Sequence, residues 1–343
     1  MEVNLMSDTV TRPSEKMKAF MFDSPLGDDV FGQDPTVNAL QDKVADMFGR
    51  EAALYCPSGT MTNQIALQLH CGQLGAIICE KGAHVYQFET GGYAYNARAA
   101  VNLIAGRFGK ITGDQIISEL KPDHDWYTRS RVVVIENTSN TGGGTFYTLS
   151  EVDQIRDKLA DTGLTLHLDG ARLFNALAET GDDPALWGSR FETISICLSK
   201  GLGAPVGSVL IGDKSLIREA RRLRKVMGGG MRQAGIIAAA GIYALDHNLS
   251  RLSEDHDHAK QIGLALEEQS YVSSVNPVMT NIVIFELTDE LTSGDFLSYL
   301  AGRGVLGVPL DQKRIRLVTH LDITSEMIEH TVKVLYQYPS KPK

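Results

Sequence analysis

Three short stretches carry side chains whose types and spacing could do chemistry together. In "LHLDGAR" an apolar run ends on Asp169, with Arg172 three positions later; "SICLSK" ends a second apolar run on Lys200; "YCPSGTMTNQIAL" puts Ser58, Gly59 and Thr60 where a helix would begin. The small and apolar residues around Lys200, in "ISICLSKGLGAPVGSVLIG", disfavour an ammonium and favour a nucleophilic free amine. Such an amine attacks carbonyls. Asp169 offers a carboxylate that a rigid strand could hold against a protonated ring nitrogen, and Arg172 a donor to a ring oxygen. Ser58, Gly59 and Thr60 offer an anion cradle of unpaired N–H groups, helix dipole and two hydroxyls.

Taken singly, each has a plainer role: a helix cap, a carboxylate at a strand end, a surface arginine, a lysine that keeps a strand end in water. Taken jointly, they match the needs of pyridoxal 5'-phosphate: a Schiff-base lysine, an acidic partner for the pyridinium nitrogen and a phosphate cup.

Elements that could position this set are legible as apolar runs alternating with amphipathic stretches, the pattern of an α/β protein with a parallel sheet covered by helices on both faces. "RVVVIEN" (131–137), "LTLHLDG" (164–170), "TISICLS" (193–199) and "GSVLIG" (207–212) read as buried strands. In "PTVNALQDKVADMFG" (35–49), Val37, Leu40, Val44, Met47 and Phe48 recur at helical spacing between Pro35 and Gly49. "LSEVDQIRDKLADTG" (149–163) is expected to be a helix capped by Ser150. In such sheets ligands gather beyond the carboxyl ends of the strands, where Asp169 and Lys200 fall.

A chain of 343 residues exceeds the usual size of one hydrophobic core, so a large domain and a smaller one are expected. The texture changes near residue 248, to a long helix "RLSEDHDHAKQIGLALEEQ" and then strand, helix and strand in "NIVIFEL", "SGDFLSYLAGRG" and "RIRLVTH". The expected division is an N-terminal segment (1–20) contributing to the active site, a large cofactor-binding domain (21–247) and a small C-terminal α+β domain (248–343).

With 43% hydrophobic and 22% charged residues the balance is that of an ordinary globular protein. Acidic residues number 42 against 33 Lys plus Arg, and the formal charge of -9 argues against nucleic-acid or anionic-membrane partners. "MEVNLMSDTVTRPSEKMK" lacks the basic-then-apolar order of a secretory signal, and no apolar run is long enough to span a bilayer. Cys56, Cys71, Cys79 and Cys197 form no C-x-x-C pair, which suits reduced thiols. A cytoplasmic location is expected.

Three tempting features read as background. "GLGAPVG" runs into a strand rather than a helix, against a dinucleotide fingerprint. In "EDHDH", His256 and His258 fall on nearly opposite faces of a helix, so a solvated surface is expected there and no metal site anywhere. "RRLRK" (221–225) reads as a solvated basic face.

"SDTVTRPS", "GDDVFGQDPTVNALQ", "HLDGARLFNA", "ICLSKGLGAPVGS", "MGGGMRQAGIIAAAGIYAL" and "RLVTHLDI" closely resemble the low-specificity L-threonine aldolases of the fold type I pyridoxal phosphate superfamily. They run in family order from Ser7 to Ile323, and so cover nearly the whole chain.

The resemblance implies retro-aldol cleavage of L-threonine, L-allo-threonine and other β-hydroxy-α-amino acids to glycine and an aldehyde. By it, Lys200 is the Schiff-base lysine, Asp169 pairs with the pyridine nitrogen, Arg172 contacts the ring hydroxyl, and Gly59 and Thr60 hold the phosphate. His84 would stack on the ring, Ser7 and Arg316 would clamp the substrate α-carboxylate, and Lys225 and Arg232 would approach the site of a neighbouring subunit. A homotetramer, as a dimer of dimers with shared sites, is implied as well.

The chain departs from the family pattern in places. Met6 stands where an arginine is usual and Phe31 where a tyrosine is common. A second family histidine aligns with Trp126, with His124 two positions away. The base for the β-hydroxyl stays open between His84 and a water it positions. Other pyridoxal enzymes, such as a β-eliminating lyase or an aminotransferase, would share Lys200 and Asp169, and a non-enzymatic binding module would share only the fold.

Overall fold

A computed structural model describes residues 1–339. Its centre is a seven-stranded sheet in the order Ala52–Cys56, Ser208–Gly212, Thr193–Cys197, Thr165–Gly170, Arg129–Glu136, Gly75–Glu80, Ala100–Ile104. Ser208–Gly212 runs antiparallel to both neighbours and every other pairing is parallel. The four apolar runs expected as strands are all here, and their side chains are buried because helices cover both faces. The "GLGAPVG" segment turns the chain back into the antiparallel strand with no crossover helix.

Two reversals of direction, at the strand after "GLGAPVG" and again at Ala52–Cys56, bring the Cys56 end to the edge where Asp169 and Cys197 end. The helix Gly59–Cys71 therefore starts at that edge. Its first residue packs tightly there: a Cβ on Gly59 would lie 2.6 Å from Cys197 Sγ, so a side chain would push the helix start off the strand that leads to Lys200.

A second sheet of four antiparallel strands, in the order Val308–Pro309, Arg314–Val318, Ile282–Leu287, Val272–Val275, has its own core around Ile262, Leu266, Phe285, Phe296 and Leu317. The N-terminus joins the two layers. Val3–Asn4 pairs with Val305–Leu306 and buries Val3 and Leu5 in the smaller core, whereas Met17 belongs to the larger one.

Three expectations need correction. The helix Leu149–Leu159 is capped by Thr148, whose side chain accepts from the Glu151 N–H while Glu151 reaches back to the Thr148 N–H; Ser150 lies inside the first turn. The "EDHDH" helix, Leu252–Glu267, is sandwiched between the helix Leu173–Thr180 and the small sheet, so both histidine faces are covered. His256 is fully buried against Glu179 and Asn175, and His258 is buried beside Ser325. In "RRLRK", Arg224 is buried, 2.7 Å from Asp29 and 2.6 Å from the Tyr55 carbonyl it donates to.

Candidate active site

The register places the chemistry. Glu136 lies opposite Asp169, and Asp169 opposite Ser195, so neighbouring strands deliver two carboxylates and, a few residues on, Lys200 to one edge. Among the described residues the Lys200 amine has no ion-pair or hydrogen-bond partner, and the side chain is half-buried. Its carbonyl accepts from Thr11 Oγ1 at 2.9 Å, which ties the N-terminal segment to this turn.

Asp169 is buried, with Oδ1 accepting from the Ala171 N–H at 3.2 Å and Oδ2 from Asn63 Nδ2 at 2.9 Å. Asn63 stands one helical turn beyond Gly59, on the face that meets the sheet. A carboxylate has about four acceptor sites, so Asp169 retains capacity for a further donor.

Arg172 is held rather than free. Its Nε and Nη2 donate to the two oxygens of Asp8 at 2.7 and 2.8 Å, a bidentate pair with side chains 6% and 0% exposed. Asn281 Nδ2 adds a third donor to Asp8 at 3.3 Å. Burial works against the Asp8 charge, but the attraction and hydrogen bonds of Arg172 outweigh it and hold the carboxyl well below the ordinary range. Three guanidinium hydrogens remain for a ring oxygen.

At the helix start, Ser58 Oγ accepts from the Met61 N–H at 3.2 Å and the Ser58 carbonyl from the Thr62 N–H at 3.2 Å. The Gly59 and Thr60 N–H groups lie in the first turn, beyond reach of intrahelical acceptors. Ser58 is thus a helix cap, and its hydroxyl proton and the Thr60 hydroxyl can still be donated.

His84 opens the short helix His84–Gln87 and gives its backbone N–H to Glu136 at 2.8 Å, while its Nδ1 lies 3.0 Å from Glu89 Oε1. Burial depresses its pKa, but the Glu89 hydrogen bond and the charges of Asp169 and Glu89 exceed that and the repulsion of Lys200, so the net shift is upward. Glu136 is buried; desolvation and the neighbouring Asp169 push it up to about 7 against the N–H bonds from Asn140 and His84.

Ser7 and Arg316, 309 positions apart in the chain, meet through Met6, whose carbonyl accepts from Arg316 Nη2 at 3.3 Å; Nη1 donates to Asn140 Oδ1 at 2.8 Å. Arg316 Nε is buried without a partner, and burial together with repulsion from Arg172 lowers its pKa. An arriving carboxylate would relieve both.

Other predicted residues lie elsewhere. Lys225 is exposed at the end of the helix Lys214–Val226, and Arg232 pairs with Asp28 at 2.9 Å, its guanidinium 5.8 Å over the Phe31 ring. Within the described residues neither is bonded to Lys200, Asp169 or Arg172. His124 and Trp126 stack on one another, ring centroids 4.7 Å apart, in an exposed loop before Arg129–Glu136. That strand carries its chain some 23 Å to the site edge, so the loop sits at the opposite end of the sheet.

Asp8, Asn63, Glu89 and Glu136 belong to the site without having been expected from the sequence. Glu136 ends the run "VVVIE" as Asp169 ends its own, so the logic of strand ends would have found it. Asp8 and Glu89 leave no such signal.

A mostly parallel sheet flanked by helices, with lysine, aspartate and a helix start at its carboxyl edge, is the fold type I architecture. Threonine aldolase from Leishmania major matches it with a TM-score of 0.84 at 22% identity, over 98% of this chain and 99% of that one. Residues 4–290 match the family described as Beta-eliminating lyase. The Escherichia coli K12 low specificity L-threonine aldolase is 41% identical over 95% of this chain and 96% of its own, and the Arabidopsis thaliana low-specificity L-threonine aldolase 1 is 35% identical over 98% and 96%. The chain belongs to the low-specificity L-threonine aldolase family within the Beta-eliminating lyases.

Proposed function

We propose that this chain is a lyase that uses pyridoxal 5'-phosphate to cleave L-threonine, L-allo-threonine and related β-hydroxy-α-amino acids into glycine and the matching aldehyde. The observation that carries this is the convergence, at one sheet edge, of an unpaired lysine amine, a buried aspartate and the first turn of a helix. The donor set fits the cofactor: an amine for its aldehyde, a carboxylate for its ring nitrogen, spare Arg172 hydrogens for its ring oxygen and first-turn N–H groups for its phosphate. When bound, the cofactor supplies a sink for the electron pair released at Cα.

The chain's own residues do the rest. Lys200 would hold the cofactor covalently, Asp169 would keep the ring nitrogen protonated, and Ser58, Gly59 and Thr60 would hold the phosphate. Arg316 and Ser7 anchor the α-carboxylate and so turn the Cα–Cβ bond into the orientation from which it breaks. His84 would lie over the ring.

Shared sites are part of this proposal. Phe31, Tyr95 and Val226 are 71–87% exposed; Phe31 lies under Arg232, and Val226, next to Lys225, shares a cavity wall with Tyr95, a set that suits burial against a further copy. Lys225 and Arg232 would then complete the site of a neighbouring subunit in a homotetramer. The seven-stranded and four-stranded layers, with separate cores, support division into 1–20, 21–247 and 248–343, of which 340–343 lie outside the described residues. No helix of the described residues is long and apolar enough to cross a membrane, and all four cysteines are buried and free. Both are compatible with a cytoplasmic location.

Incubating the purified protein with cofactor and L-threonine is expected to release glycine and acetaldehyde in equal amounts. Pyruvate or 2-oxobutyrate without glycine would instead identify a different lyase, and hydride trapping followed by peptide mass spectrometry should place the cofactor adduct on Lys200.

A further inference from the structure

Glu89 is a buried carboxylate with no part in the scheme above, and its two oxygens are met by two side-chain amides and one imidazole nitrogen. Its side chain is 0% exposed. Oε1 accepts from Asn63 Nδ2 at 2.9 Å and faces His84 Nδ1 at 3.0 Å, while Oε2 accepts from Gln64 Nε2 at 2.5 Å. The Asn63 amide is oriented independently: its Oδ1 lies 3.1 Å from His167 Nε2, and its Nδ2 also serves Asp169. An amide nitrogen only donates and an ionised carboxylate only accepts, so the hydrogen between Glu89 and His84 belongs to the imidazole Nδ1. The other ring nitrogen, Nε2, makes no hydrogen bond among the described residues, and the His84 side chain keeps 28% of its surface exposed.

We propose that Glu89 is the positioning residue that fixes His84 with its proton on Nδ1 and its lone pair on Nε2, making Nε2 the base for the substrate β-hydroxyl. The inference rests on the aldolase reading above. As Nε2 takes the hydroxyl proton, the O–H electron pair becomes the second bond of the aldehyde carbonyl and the Cα–Cβ pair remains with Cα. His84 then carries a positive charge directly against Glu89, which stabilises it. Cα later gains a proton and leaves as glycine.

The charged groups facing His84 are Glu89, Asp169, Glu136 through the backbone N–H, and Lys200. Replacing Glu89 by an uncharged isostere removes one of the groups that raise the histidine pKa. The base would then stay deprotonated to lower pH.

Two measurements on the holoenzyme test this. With nitrogen-15 labelled histidine, the His84 resonances, identified by their loss in His84→Asn, should show Nδ1 protonated and Nε2 bare at neutral to mildly alkaline pH. Glu89→Gln should lower kcat about tenfold to a hundredfold, part of the usual general-base contribution, and move the acidic limb of kcat/KM to lower pH. A proton on Nε2 rather than Nδ1 in the uncharged imidazole, reached by raising the pH above its titration, or an acidic limb that does not move, overturns the proposal. Failure of the native enzyme to release glycine from threonine would instead defeat the aldolase reading, and the tautomer measurement would still decide whether Glu89 orients His84.

Discussion

Two arginines that the sequence assigns to one cofactor site live in opposite surroundings. Arg172 is locked to Asp8 by a bidentate pair with side chains 6% and 0% exposed, whereas Arg232 meets Asp28 through a single contact at 57% and 19% exposure. Arg172 is therefore positioned entirely by its own chain, and the strap that positions it begins in the two-stranded pairing with Val305–Leu306 and ends at the Lys200 carbonyl. Arg232 is held only loosely by its own chain, as expected of a group whose working partner belongs to another subunit. On the proposed shared-site reading, one part of the site is complete in a single copy and the other is completed by a second.

The largest effect should come at the complete part: Lys200→Ala is expected to lower threonine turnover by orders of magnitude, and retained turnover in a glycine-release assay would remove its assigned role. Next, Asp8→Ala leaves the Arg172 guanidinium buried and unpaired, which should cost about 3–5 kcal/mol of stability. Asp28→Asn, which weakens the exposed pair but keeps an oxygen for the Val30 N–H, should cost far less. Denaturant unfolding of both variants, set side by side, checks the contrast.

Arg232→Ala sharpens it from the other direction. Thermal stability should stay near that of the parent while turnover falls, and mixing unfolded Arg232→Ala with Lys200→Ala chains and refolding them together should recover a fraction of activity through mixed sites. No recovery would mean that Arg232 serves its own chain or none.

The smallest effect is in pH dependence. Glu136 has a pKa raised from 4.5 to about 7, so between those values the folded chain holds a proton that the unfolded chain has released. Its contribution is therefore present in full below about 4.5 and lost as pH rises towards 7. Asp255, raised by burial to about 6 despite Arg251, adds in the same direction. Glu136→Gln should flatten the fall in melting temperature across that window.

How much of this could be read from the chain depends on range. Pro35 at the first turn and the spacing of Val37, Leu40 and Val44 mark a helix that the structure runs from Pro35 to Met47, because its stop and start signals are local. Thr148 and Ser150 are capping side chains two positions apart, and only the reciprocal bond with Glu151 tells which one caps the helix. His256 and His258 look solvated by helical periodicity, yet the helix is packed on two sides and its solvent face carries Glu254, Asp257 and Gln261 instead. In the site, Lys200 and Asp169 are legible because each ends an apolar run. Asp8 is not, because its partner is 164 positions away.

The order of residues alone settled which reactive groups the chain owns and that short apolar runs would carry them to strand ends, since side-chain chemistry and hydrophobic periodicity are local properties. Folding settled which of those groups are charged, paired or exposed. The strength of a charge depends on the dielectric around it and on who stands within a few ångströms, and for Asp8, Glu89 and Glu136 those neighbours come from distant segments that only packing assembles.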